Sequence, residues 1–326
     1  MALIKKLPTD LNINFMGKRK LFMAFSALMI ALSLVLVATR GLNFGVDFRG
    51  GILIEIRTSE PADLSSLRSR IGALGLGEIS LQEFGAPTDV LINIQKQDGD
   101  EKEQMKAIQL VKDELGSAVE EYRRVEFVGP KVGAELKEDG ALATLFALLG
   151  IAFYIWFRFE WQFSVAALMA LTHDIITTIG FFALTQYEFN LATLAAVLTI
   201  AGYSINDTVV IFDRVRDELR RYKKMDVIDV LNMSINRTLS RTILTSVTTL
   251  LALIALFAFG GEVIRGLSLG LIWGVTIGTY SSVGLAVPLL FSTNVRSSIP
   301  EEEEEEGLVD ENGQKIEFVP ENDKAN

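Results

Sequence analysis

The sequence predicts a membrane protein: an all-α bundle of six transmembrane helices with an extracytoplasmic α+β domain of ferredoxin-like type inserted into it. Two observations point there. Hydrophobic residues, 49% of the chain at a mean hydropathy of +0.33, are gathered into six long runs. Between the first and second runs lies a stretch of different grammar, residues 40–139, where short alternating segments are interleaved with amphipathic ones.

Taken in order, residues 1–20 are a basic cytoplasmic segment, and residues 21–39 are the first span, free of charge. That run is longer than a signal-peptide core, and "ATRG" after it is no A-x-A cleavage site, so it reads as a retained anchor. In the inserted region "GILIEIRT" alternates like a strand, and "PADLSSLRSRIGAL" repeats Leu64, Leu67, Ile71 and Leu74 at helical spacing. "EISLQEF" and "DVLINIQK" alternate around a "GAPT" turn, "EKEQMKAIQLVKDEL" is a second amphipathic helix, and "VEEYRRVEFVG" is a last strand. The order β-α-β-β-α-β is the split motif of ferredoxin-like domains. Residues 140–295 hold five more runs, 141–157, 162–184, 189–212, 242–259 and 266–291, each within reach of the roughly 17–25 residues that cross a bilayer.

Residues 296–326 form an acidic tail with disordered composition, including the run Glu301–Glu306, and it accounts for nearly all of the net charge of −10. No basic face is left for nucleic acid. Lys and Arg in the short connections set the orientation. Fifteen fall on one side, from Lys5 through the cluster Arg214–Lys224 to Arg296, against Arg265 on the other, which puts both termini in the cytoplasm. With no cysteine, a single histidine (His173) and no nucleophile–base pair or phosphate loop, the chain offers no metal site and no organic cofactor, and it does not read as an enzyme.

Two acids lie inside apolar runs. Asp174 stands near the middle of the third span beside His173, and Asp207 stands inside the fourth, beside Asn206. An Asp at a helix centre costs about 2.5–3.5 kcal/mol on insertion scales, so such acids either mark an ion path or hold helices together by hydrogen bonds. A short loop makes the third and fourth spans antiparallel neighbours with a polar seam between them. Asp213 lies at the membrane boundary amid Arg214 and Arg216, where an interfacial ion pair competes with a part in coupling. Arg241 opens the fifth span and either snorkels or serves the acids. Gly266, Gly270, Gly274 and Gly278 recur every four residues, continued by Ser282 and Ala286, a ridge for close helix packing within the chain or with a partner subunit. In "FGVDFRGG", Asp47 with Gly50 and Gly51 reads as a structural hinge where the inserted domain meets the membrane.

"FGVDFRGG", "VGPKVGAEL", "LTHD", "GYSINDTVVIFDRVRDELR", "RTILTS" and "GEVIRGLSLGLIWGVTIGTYSS" occur here in the order and spacing of a known family. Over residues 15–295 the chain resembles the SecF branch of the SecD/SecF family of bacterial protein-export membrane proteins, within the resistance-nodulation-division superfamily. The resemblance implies half of a pseudo-symmetric bundle completed by SecD, sometimes joined by YajC, beside the SecYEG channel. It implies use of the ion gradient, H⁺ rather than Na⁺ on the residues present, in late steps of preprotein translocation. The family's proton-carrying position falls on Asp207, and Asp174 and Arg241 match family positions of less settled role. Two other readings are an exporter of small molecules from the same superfamily and a brace for SecD and the channel that couples to no ion.

Overall fold

The protein is described from a computed structural model covering residues 12–99, 101–261 and 264–298. The first eleven residues and the acidic tail beyond residue 298, with Glu301–Glu306, lie outside the described residues. The chain runs through α1 (Arg19–Arg40), a one-turn helix α2 (Val46–Arg49), and the inserted domain β1 (Gly51–Thr58), α3 (Leu64–Gly72), β2 (Ile79–Phe84), β3 (Ala86–Ile94), α4 (Glu101–Leu115) and β4 (Val119–Val128). It continues with α5 (Pro130–Arg158), α6 (Trp161–Thr185), α7 (Leu191–Arg221), α8 (Val227–Phe259) and α9 (Arg265–Ser281), which a π-helical turn, Ser282–Ala286, carries into α10 (Val287–Ser292). Among the described residues six helices are long and apolar enough to cross a membrane, with α9 and α10 forming one span.

The inserted domain is a four-stranded antiparallel sheet in the order β2-β3-β1-β4, which is the ferredoxin-like arrangement. Period-2 alternation sends Ile52, Ile54 and Ile56 of the central strand into the core beneath α3 and α4, with Leu67, Ile71, Ala107 and Val111. The opposite face carries Leu53 and Leu91, which pack with Val46 of α2 and so turn toward the membrane helices.

Several helices outrun the apolar stretches that announce them. α5 begins at Pro130, so residues 130–139 are its opening turns rather than the end of the inserted domain; Gly129 is extended, and Pro130 suits the first helical position. α8 starts at Val227, and α7 continues to Arg221. Hydropathy measures what lipid accepts, whereas helix length follows packing. Val215 and Leu219 of α7 and Val230, Leu231 and Ile235 of α8 are buried in one core with Phe159, Phe163 and Phe212. That core sits at the end of the bundle away from the inserted domain. It also takes in Met16, and the segment before α1 is pinned there by α8: Asn232 Oδ1 accepts Phe15 N–H at 2.8 Å, and Asn236 exchanges two bonds with the Ile13 backbone at 2.9 Å each. A second core, Phe48, Leu171, Ile175, Phe182, Phe189, Val197 and Ala201, lies at the domain end.

Candidate functional site

α7 organises the site, and the glycine ridge of α9 brings a neighbour close to it. A Cβ on Gly274 would fall on Ile200 of α7, one on Gly278 would stand 3.1 Å from Ser204 Cβ, and one on Gly270 would stand 3.0 Å from Phe182 Cζ and 3.3 Å from Ala196 Cβ. Gly266 faces Thr193 of α7. The ridge therefore serves packing within the chain, against α7 and α6. Such closeness lets short hydroxyl side chains meet across the interface. Thr208 and Ser282 pair at 2.8 Å at the start of the π-helical turn, a deviation often met at functional positions. Ser246 of α8 pairs with Thr279 at 2.6 Å.

Asp174 is fully buried where α6, α7 and α9 meet. Its Oδ2 accepts from Ser204 of α7 at 2.5 Å and from Ser281 of α9 at 2.7 Å, and its Oδ1 lies 2.8 Å from His173 Nδ1. Thr177 and Thr178 donate to its backbone carbonyl at 3.1 and 2.7 Å. Every oxygen of this residue is answered, and its role in the geometry is a three-helix tie. The polar seam expected between the third and fourth spans is here, and α9 takes part in it as well.

Asp207 differs. It is 4% exposed, and its Oδ2 finds no hydrogen-bond partner among the described residues. The side chains that act on it, Arg241, Thr245 and Ser246, come from α8. Because α7 runs on past the membrane boundary, Asp207 sits close to the middle of the helix, about 24 Å of axial rise from Leu191. Asn206 and Arg241 are exposed on the chain's own surface beside it. Asp207 thus stands at the edge of an exposed strip of α7 that continues through Gly202, Thr199 and Ala195.

Further along α7, about 9 Å of axial rise beyond Asp207, Asp213 is nearly half exposed and pairs with Arg216 at 3.1 Å and Arg158 at 3.4 Å. One turn further on, Glu218 is 2% exposed and gripped by Arg214 at 2.7 Å and by Arg237 of α8. Sequence reading passes over Glu218, since it lies in a dense run of charges that looks solvated. The apolar positions around it, Val215 and Leu219, are the only hint of a buried face.

At the domain end, α2 seats "VDFR" on the loop between α6 and α7. Asp47 Oδ2 accepts Leu191 N–H at 2.9 Å, Phe189 N–H donates to Asn43 O at 2.7 Å, and Gly45 N–H donates to Phe189 O at 3.0 Å. Gly50 and Gly51 follow with φ of +72° and +139°, conformations that only glycine adopts freely, and a Cβ on Gly51 would stand 2.7 Å from Ile94 O. Glu188, in the same loop, is an acid that sequence reading did not single out.

Comparison with known proteins agrees with this fold. Residues 109–296 match the family described as protein export membrane protein SecD/SecF, C-terminal, and residues 35–62 match the SecD/SecF GG motif. The protein translocase subunit SecF of Rickettsia rickettsii is 47% identical over 290 residues, covering 88% of this chain and 94% of its own, and that of Rickettsia felis matches equally. The crystal structure of SecDF, a translocon-associated membrane protein from Thermus thermophilus, superposes with a TM-score of 0.80 at 32% identity over 89% of this chain. A SecDF structure in a super-membrane-facing form superposes at 0.67, also at 32% identity, over 90% of this chain. This chain spans 40% of the length of each of those solved chains.

Proposed function

The chain belongs to the SecD/SecF family of protein-export membrane proteins, as a translocase subunit of SecF type, and from that premise we propose that it converts the transmembrane proton gradient into motion of its inserted domain during late preprotein translocation. The observation that carries the reading is Asp207, a nearly dehydrated carboxylate with one unanswered oxygen and an exposed arginine acting on it from the adjacent helix. A charge in that position is costly, and a proton removes the cost. Proton uptake therefore favours whichever packing of α7, α8 and a partner buries Asp207 more deeply, and release favours the packing that brings Arg241 to it. One charge crossing 100 mV supplies about 2.3 kcal/mol, enough to bias a two-state equilibrium about fiftyfold.

The partner in this reading is a SecD-type subunit, which supplies what the longer SecDF chains carry beyond the 40% matched here. The pair acts beside the SecYEG channel on the emerging preprotein. The setting is the bacterial cytoplasmic membrane with both termini inside. Supporting this, the described chain begins and ends at one end of the bundle, with Arg158, Arg214, Arg216, Arg237 and Arg296, while the inserted domain stands at the other.

Asp207→Asn, which keeps size and polarity but cannot titrate, tests the coupling. The variant is expected to assemble at wild-type levels and to lose gradient-driven stimulation of export in reconstituted vesicles. Normal stimulation by the variant would reduce the chain to a brace.

A further inference from the structure

We propose that Asp47 is a positioning residue that clasps the domain-side end of α7, tying the inserted domain to the helix on which Asp207 rides. Its meaning for export rests on the coupling reading above; the clasp itself stands on geometry. The first N–H groups of an α-helix have no partner within the helix. α7 answers one by its own capping box, in which Asn190 Oδ1 accepts Thr193 N–H at 3.1 Å and Thr193 Oγ1 accepts Asn190 N–H at 2.8 Å. The Leu191 N–H is answered from elsewhere in the chain, by Asp47. That bond places a carboxylate at the positive end of a 31-residue helix.

The segment bearing Asp47 is held on both sides. Two backbone hydrogen bonds zip residues 43–45 to Phe189, and Phe48 stacks on the Phe189 ring with centroids 5.9 Å apart. Gly133 at the start of α5 approaches so closely that a Cβ there would lie 3.1 Å from Phe48 O and 3.3 Å from Asp47 O. Immediately after it, Gly50 and Gly51 lead into the central strand β1. A shift of α7 along its axis is therefore delivered to the inserted domain through Asp47 and a glycine pair.

Glu188 makes the clasp responsive to protons. A cleft of about 650 Å³ separates the helix-free face of the sheet from the α6–α7 loop, and Asp47, Glu188, Arg124, Glu126 and Glu83 line it. Burial, and then the neighbouring Asp47 carboxylate, hold the Glu188 carboxyl above the ordinary range, against the pull of Arg124, Asn190 and Arg49. A carboxyl raised in the closed clasp favours closure at low pH, and that contribution fades as pH rises through its raised value. Protonated Glu188 removes the like charge beside Asp47, so the clasp tightens when the domain side turns acidic.

Amide exchange at single-residue resolution on the full-length chain in vesicles tests this, with rates corrected for intrinsic pH dependence. Asp47→Ala is expected to speed exchange at Leu191 about fivefold, the weight of one helix cap, and Asp47→Asn to restore it because its amide oxygen accepts the same bond. In the native chain protection at Leu191 is expected to weaken as pH rises above the ordinary carboxylate range, and Glu188→Gln to flatten that dependence. Unchanged exchange in Asp47→Ala, or a pH dependence that persists in Glu188→Gln, overturns the clasp. Should Asp47→Ala fail to accumulate, native protection at Leu191 no greater than at the adjacent Ala192 amide overturns it equally. Failure here leaves the Asp207→Asn export result standing, and normal export by Asp207→Asn leaves the exchange result standing, so the two readings fall separately.

Discussion

A carboxylate buried in a membrane helix persists only where something answers its charge, and the three buried acids of the long helices among the described residues are answered in three ways. Asp174 has hydroxyls and an imidazole on its two oxygens, Glu218 has two arginines on Oε1 with Oε2 left over, and Asp207 has an arginine nearby with Oδ2 left over. Hydroxyls in the first case and two direct ion pairs in the second fix helices together; the looser hold on Asp207 leaves room for a change of state. Ser281 exposes the difference. Ser281→Ala removes a hydrogen bond to a wholly buried carboxylate, worth about 1.5–3 kcal/mol, and is expected to lower the thermal midpoint of the detergent-solubilised protein. Thr276→Ala, whose hydroxyl bonds only back to its own helix at an exposed position, is expected to leave the midpoint in place. Asp174 and Asp207 were legible in the sequence because an acid in an apolar run stands out. Ser281 was not, because serine is common in membrane helices and this one matters only through its alignment across a tertiary contact. Asp213 was legible as an interfacial pair from its arginine neighbours.

The elements follow from periodicity where one face is buried, and less well where two surroundings compete. The six spans and the β-α-β-β-α-β order could be read directly, since a period of two and a run of about 20 apolar residues are strong signals. The ends of α5, α7 and α8 could not, because their outer turns are held by packing against charged and amphipathic partners beyond the lipid. The glycine ridge was visible as a ridge, while its partner, α7, needed the fold. Its energetic weight can be measured helix against helix. Gly274→Val drives two methyls into Ile200 at a contact with no free volume, and overpacking of this kind costs about 1–3 kcal/mol. The variant is expected to unfold at lower temperature in detergent, with Gly278→Ala milder, since its Cβ would meet Ser204 at 3.1 Å, and Gly150→Ala without loss, since nothing lies within 4 Å of that position. Equal stability of Gly274→Val and native protein would mean that α7 and α9 are not in close contact in the membrane.

For the molecule as a whole the question is which surface meets lipid and which meets a partner. α5 exposes Phe146, Leu149, Phe153 and Phe157, the large apolar groups that acyl chains accept. α7 exposes Ala195, Thr199, Gly202 and Asn206, with Arg241 of α8 close by. Small and polar side chains are poor company for lipid but suit a helix that comes near enough to bond with them. Asp207 lies along this strip, so a partner seated there would complete the surroundings of the acid proposed to couple. Gly202 separates partner from fold, because among the described residues nothing beyond its chain neighbours and the backbone of its own helix lies within 4 Å of where its Cβ would stand. Gly202→Phe is therefore expected to fold with an unchanged thermal midpoint, to stop co-purifying with the SecD-type subunit and to lose export. Gly150→Phe adds the same bulk at an equally open position on the lipid-like face of α5 and is expected to keep both. If Gly202→Phe is recovered with its partner at native levels, the strip faces lipid, and the second half of the bundle must dock on another face, away from Asp207.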